Sequence, residues 1–427
     1  MPISRRQFLG TSVAAGAALA AGRASALAKP KHQRPRALPD PATSGLDHIV
    51  VLCMENRSYD HYLGWLPGGN GVQAGLTYAD DSGVAHPTHH LTEWQGCGFN
   101  DPDHSYDGGR VQLAGGACDG FRKGTNDDFA LGYYEEADLP MLGPLVRGFT
   151  TFDSYFCSIL GPTYPNRFYT HAAATDRIEN SMTQSTLPTI WDRLGTAGVS
   201  ADYYFSDLPF LALWGEQHLD VGRPFESFFA QAATGTLPSY AYLDPFFLGE
   251  DQGGSNDDHP HADIRRGQAL ISRVVHALTE SPLWSRTALV ITYDEWGGFF
   301  DHVAPPVLPD ADPAHAQAGF RVPTTLVSPY ARPGYVGHDV YDHTSILKMV
   351  EWRWGLAPLT ARDAAANNLA DVLDWTAPNA TPPSLPTVAD PGPHLCGSPD
   401  TGMSAEDPFW RALAESPLVD RWRAAVR

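Results

Sequence analysis

The sequence predicts an α/β fold: a mostly parallel central sheet with helices on both faces. Three observations carry that reading. The run Leu289-Val290-Ile291-Thr292-Tyr293 is continuously apolar and β-prone, which suits a strand buried on both sides. Residues 47–53 repeat that character with Ile49, Val50, Val51 and Leu52. Amphipathic helical patterns lie between such runs. The clearest, over 263–278, sets Ile264, Leu270, Ile271, Val274, Val275 and Leu278 on one stripe and leads into the strand at Ala288.

A chain of 427 residues is long enough for a large buried core, and 43% hydrophobic with 18% charged residues is a globular composition. Its 40 Gly and 36 Pro forecast many ordered loops. The net charge is −20, and the first 28 residues hold three Arg and no acid, so their removal takes it to −23. Such a surface disfavours nucleic acid and is not attracted to anionic lipid. A phosphate-bearing substrate must therefore meet a local cationic centre, either a metal ion or a His/Arg cluster.

In chain order, the first element is a targeting signal. Ser4-Arg5-Arg6-Gln7-Phe8-Leu9 reads as a twin-arginine export signal, followed by an apolar small-residue stretch over 10–21. Ala24-Ser25-Ala26 and Ala26-Leu27-Ala28 are candidate cleavage sites. The expected layout is a signal over 1–28, a Pro-rich leader over 29–44, and a catalytic domain over 45–376. A linker and one terminal helix, over 377–427, then pack on the core. The protein is expected to be secreted or extracytoplasmic, with the twin-arginine machinery as a partner.

The first strand, over 47–53, runs into Glu55-Asn56, and a Gly-rich polar insertion follows over 68–124. An aromatic β-prone stretch covers 149–156, a helix 168–174, and a short helix 190–194 is stopped by Gly195 and Gly198. Strands are expected at 202–205 and 322–328, a helix at 344–354, and the terminal helix at 408–426. Among the five cysteines, Cys97 and Cys118 stand in Gly-rich loops and form the expected disulfide. Cys53, inside an apolar strand, reads as a buried thiol, and no CxxC or zinc spacing appears.

Ligands of open α/β sheets bind just beyond the carboxyl ends of the strands. There the chain offers Glu55-Asn56, then Thr163 with Asn166 and Arg167, and finally Asp294-Glu295 ahead of the Gly297-Gly298 pair. Carboxylate and amide oxygens suit a hard divalent ion such as Mg²⁺, Ca²⁺ or Mn²⁺, and histidine would move the balance toward zinc. The plainer reading of each pair is a capping or turn role. Thr163, between Pro162 and Pro165, reads either as a helix N-cap or as a nucleophile at a helix N-terminus. His104 and His259 lie in acidic loops, where an imidazolium suits a general acid or a phosphate clamp; the plainer reading is a solvated side chain. His302 and His343 each follow an Asp, and either a site role or a bond to that neighbour fits them.

Glu55-Asn56-Arg57-Ser58-Tyr59-Asp60-His61-Tyr62 resembles a motif of the bacterial phospholipase C and acid phosphatase family of phosphoesterases. So do, in the family's order, the stretches 161–167, His259-Pro260, 293–303 and Asp342-His343-Thr344-Ser345. The likeness spans about residues 47–356. His261 stands where the family often has a second Pro, and Trp296 where His is common. The resemblance implies an alkaline-phosphatase-like core and one divalent metal ion (Ca, Mg, Mn or Zn), with Glu55, Asn56, Asp294 and Glu295 as ligands. It implies Thr163 as nucleophile and His104 and His259 as phosphate-binding or proton-transfer groups.

The expected activity is that of an exported, metal-dependent phosphoesterase of phospholipase C type, working through a phosphothreonine. Asn166, Arg167 and His302 would contact substrate. That substrate is a small-molecule or phospholipid phosphate ester, with transient membrane-surface contact in the second case and no nucleic-acid partner. The alternatives are an acid phosphatase acting on monoesters and a non-catalytic exported metal-binding protein.

Overall fold

The structure, a computed structural model, describes residues 37–396 and 407–426, so the expected signal and the start of the leader lie outside the described residues. Strands run at His48–Met54 (β1), Thr77–Ala79 (β2), Ala85–Pro87 (β3), His89–His90 (β4), Gly132–Tyr133 (β5) and Thr150–Phe152 (β6). They continue at Ala201–Phe205 (β7), Gly222–Pro224 (β8), Tyr240–Asp244 (β9), Thr287–Tyr293 (β10), Thr325–Val327 (β11) and Tyr335–Gly337 (β12). Helices are Tyr59–Leu63 (α1), Tyr106–Leu113 (α2), Leu142–Gly148 (α3), Thr163–Ala172 (α4), Ile190–Ala197 (α5) and Phe225–Thr234 (α6). The rest are Ile264–Thr279 (α7), His343–Trp354 (α8), Ala361–Ala365 (α9), Asp407–Ala414 (α10) and Pro417–Ala425 (α11).

Eight strands form the central sheet in the order β12-β6-β11-β10-β1-β9-β7-β8. As expected it is mostly parallel; β11 alone in it runs antiparallel to both neighbours. The two apolar runs pair at its centre, with Val50 opposite Leu289 and Met54 opposite Tyr293. Every residue of β10 is buried, as a strand covered on both faces requires. Helices α6 and α7 pack together, and α7 is tied to α3 because Gln268 accepts the Met141 and Leu142 N–H groups at 3.1 and 2.9 Å. Helix α4 packs on α5 and α8.

Several expectations change. The helix placed at 168–174 begins at Thr163, a full turn earlier, because two prolines are tolerated around a helix start. The single terminal helix is two helices, since Ser416 caps α11 and Pro417 occupies its first turn. Strand β9 and helix α6 were not foreseen. The disulfide joins Cys97 to Cys396 and not to Cys118, which is a buried thiol. Cys53 is also a buried thiol, and burial pushes its pKa up to about 12.

Candidate active site

The register of the two central strands builds the site. Because Met54 lies opposite Tyr293, the residues that follow leave the sheet side by side. Asp294 N–H donates to Met54 O (3.0 Å) and Arg57 N–H to Glu295 O (3.1 Å), stitching the two acidic turns together. Asp294 Oδ1 accepts the backbone N–H of Asn56 (3.2 Å) and of Glu295 (2.8 Å), while Glu295 Oε2 accepts Gly297 N–H at 2.7 Å. Asn56 is in the left-handed region at φ 58°, a conformation asparagine tolerates better than most residues. Gly297 sits against it, and a Cβ there would lie 2.2 Å from the Asn56 carbonyl oxygen. Only glycine permits that approach.

Helix α4 enters from the other side. Thr163 is its first helical residue; Pro162 holds the cap position, and the cap makes no side-chain hydrogen bond. The N-cap reading of Thr163 therefore does not apply. Its hydroxyl is buried with no hydrogen-bond partner, as are the amide nitrogen and oxygen of Asn56. Buried polar groups without partners are uncommon and mark places where something else binds.

Arg167, four residues on and so on the same face as Thr163, is fully buried. Its Nε lies 3.2 Å from both Glu55 Oε1 and Asp294 Oδ2, and Nη1 donates to Asp244 at 2.7 Å. Nη2 donates to the Cys53 carbonyl at 3.2 Å. The guanidinium thus faces the carboxylates, and the expected contact with substrate is replaced by this anchoring role. Glu55 and Asp294 converge on one point, which the sequence required if they share a cation. Burial raises the pKa of Asp244 against the opposing pull of Arg167.

The two loop histidines meet. Their rings are 5.5 Å apart, with His104 Nε2 3.8 Å from Glu295 Oε1 and His259 Nε2 3.9 Å from Glu250 Oε1. Nδ1 of His104 bonds the Pro102 carbonyl at 2.7 Å, which turns Nε2 toward the acidic cluster. Of the three sets of side chains spaced to hold a metal ion among the described residues, two lie here: Glu55, Glu250 and His259, and Asp101, His104 and His259, each with ligand atoms within 4.8 Å of one another; the third is Asp60, Asp301 and His302. His343 lies beneath, its Nε2 2.6 Å from the Asp294 carbonyl; burial lowers its pKa to about 4, so it is a neutral donor that fixes the turn. A cleft of about 540 Å³ opens over this cluster, lined by His104 and Pro162.

Two expected substrate contacts lie elsewhere. The Asn166 amide donates to the carbonyls of Ile159, Gly161 and Pro162 and accepts Ile159 N–H, so it braces the loop before Thr163. His302 belongs to a separate network, with Nδ1 2.5 Å from Asp60, which also holds Arg321 at 3.0 Å. Sequence reasoning missed Asp244, Glu250 and Asp101 as members of the site. Asp244 ends a sheet strand as Met54 and Tyr293 do, so its signal was the strand end itself; Glu250, in a Gly-rich loop, had none.

A mostly parallel sheet whose strand ends gather carboxylates beside two histidines and a buried hydroxyl suits a hydrolase of phosphoric esters, the class to which the family match assigns the chain. The chain belongs to the Phosphoesterase family, whose model matches residues 46–357. It is 32% identical over 395 residues to non-specific phospholipase C6 of Arabidopsis thaliana, covering 81% of this chain and 76% of that protein. Phospholipase C B of Mycobacterium tuberculosis (strain ATCC 25618 / H37Rv) is 32% identical over 473 residues, covering 90% and 88%. Among solved structures, a protein in the alkaline phosphatase superfamily from Vibrio parahaemolyticus aligns with 77% of this chain and 72% of its own at 11% identity and a TM-score of 0.38.

Proposed function

We propose that the chain is an exported phosphoesterase of phospholipase C type that uses a divalent metal ion and forms a phosphothreonine at Thr163. The observation that carries this is the buried, unpartnered Thr163 hydroxyl at the start of α4, one turn from the guanidinium on which Glu55 and Asp294 converge. The residues fit a metal: Glu55, Asp294 and Glu295 offer buried carboxylate oxygens, the buried Asn56 amide has no protein partner, and Glu250 and His259 stand at ligand spacing from Glu55. Glu55, Asn56, Asp294 and Glu295 would hold the ion. Bound there, a divalent ion supplies charge stabilisation for phosphoryl oxygens and favours ionisation of a hydroxyl in contact with it.

The chain's own groups do the rest. Thr163 Oγ1, giving up its proton to a site histidine, attacks phosphorus from the helix N-terminus, whose positive end favours the developing oxyanion charge, and the bond from phosphorus to the alcohol oxygen breaks. His104 gives a proton to the departing alcohol, and His259 partners it in proton transfer. Water then hydrolyses the phosphothreonine, with a histidine taking the water's proton. Arg167 is a positioning residue that keeps Glu55 and Asp294 together.

Phosphatidylcholine, a phosphomonoester and a simple phosphodiester, assayed side by side with and without chelator, test the reading. Expected is metal-restored hydrolysis of diester in excess of monoester, with a phosphoryl adduct on Thr163 after acid quench. Faster monoester turnover makes the protein a phosphatase; no turnover with metal bound leaves the binding-protein reading.

A further inference from the structure

The cleft lined by His104 and by Pro162, the residue before Thr163, is completed by a helix that the family model does not reach. The match ends at residue 357, whereas Phe409 of α10 lines the cleft beside Pro162 and His104. Helix α10 is fixed firmly enough to serve as a wall. Trp410 is fully buried and stacked on Phe247 with centroids 4.3 Å apart and planes at 9°, and it lies 5.1 Å from the ring of Tyr164. Phe247 in turn lies under the Arg167 guanidinium, 4.8 Å from its ring centroid. The wall of the cleft and the carboxylates of the site are thus held by one stack of side chains.

The lining also has a definite chemistry. Tyr106 and Ile178 join Phe409 as its apolar side. Asp101, Asp103, Asp107 and Glu179 supply carboxylates, and no Lys or Arg lines it among the described residues. Arg110, stacked on the Tyr106 ring, donates to the Tyr106 and Leu160 carbonyls. A leaving group entering past His104 meets aromatic surface and negative charge together. That combination attracts uncharged aromatic or aliphatic groups and cations, and opposes anions.

We propose that Phe409 is a specificity-determining residue, and that α10 with the acidic lining selects phosphoesters whose leaving alcohol is apolar and uncharged or cationic. The proposal rests on the phosphoesterase reading of the site. It excludes alcohols that carry a further phosphate or carboxylate.

The test uses three methyl aryl phosphodiesters whose phenol is unsubstituted or carries, on a methylene spacer, a carboxylate or a trimethylammonium group. The spacer keeps the phenols equally reactive, so release rates report recognition. With the metal-loaded full chain, kcat/KM is expected to be at least tenfold lower for the carboxylate than for the other two. Phe409→Ala should raise KM for the phenyl and trimethylammonium esters about tenfold with kcat within twofold, and Phe409→Leu should restore most of it. Glu179→Gln should narrow the gap between the anionic and cationic esters. Equal kcat/KM for all three esters, or an unchanged KM in Phe409→Ala, overturns the proposal while leaving the phosphoesterase reading intact. No release from any ester by a metal-loaded protein that binds them overturns the phosphoesterase reading instead. A kcat loss in Phe409→Ala that Phe409→Leu does not restore assigns α10 a purely structural role and also overturns the proposal.

Discussion

Thr163 and Gly297 make opposite demands on their side chains. The Thr163 hydroxyl caps nothing and bonds nothing, so its removal should cost the fold about 1 kcal/mol or less. Thr163→Ala is expected to keep its melting temperature within a few degrees and to lose about 10³-fold or more in diester turnover, while Thr163→Ser stays active. Thermal unfolding and initial rates on the same preparations decide this. Gly297→Ala should do harm by geometry alone. Its φ of 63° disfavours a side chain, and the new methyl would strike the Asn56 carbonyl. A loss of roughly 1–3 kcal/mol in denaturant unfolding is expected, together with weaker metal binding. The sequence made the residues around Glu55 and Asp294 legible because a polar residue just past a buried strand has a known destination. It could not tell which way Asn166 and Arg167 point along α4. One successive step on a helix turns a side chain by about 100°, and these two turn inward to the loop and to the carboxylates.

Among the elements, those with a strong period were readable, and so was the aromatic strand β7, while β9 was not. The stripe of α7 fixed that helix within a residue of each end, whereas Tyr240, Tyr242 and Asp244 of β9 gave no clear alternation and hid a strand beside β1. The junction of α8 and α9 carries a titration. Glu351 is buried, and burial, with Asp363 nearby, pushes its pKa up to about 9. A carboxyl whose folded pKa lies above its unfolded value stabilises fully below about pH 4.5 and loses that contribution as pH rises toward 9. The wild-type melting temperature should therefore fall between pH 5 and 9. Glu351→Gln, permanently uncharged, should flatten that slope and stand roughly 2–4 °C above wild type at pH 9. Parallel slopes for the two proteins over that range would count against a buried neutral Glu351.

At the scale of the whole molecule, the Cys97–Cys396 bond ties the tail to the loop that carries Asp101 and His104. Around it Gln95 donates to the His394 carbonyl, and Cys396 N–H donates to Gln252 O at 3.1 Å. The bridged segment is long, so Cys97→Ser with Cys396→Ser should lower stability by about 2–5 kcal/mol in denaturant titration. Turnover should fall as well, because the His104 loop loses its tether. The export reading is tested separately: Arg5→Lys with Arg6→Lys should hold the protein inside the cell, as judged by fractionation. Of this bond only the Cys97 half was legible beforehand, since spacing in a chain says which cysteines stand in loops and not which loops meet.

That bond also sets an order in time. Cys97 and Cys396 are 299 positions apart, so at about 5–20 residues per second the first waits roughly 15–60 s on the ribosome for the second to be made. Strand β1 is already made when that interval begins and β10 is made within it, yet the loop that carries Asp101 and His104 has no covalent hold. The clasp can close only after Glu55, Thr163, Asp294 and Glu295 have all been made, and the surroundings that the chain meets at that moment decide whether it closes at all.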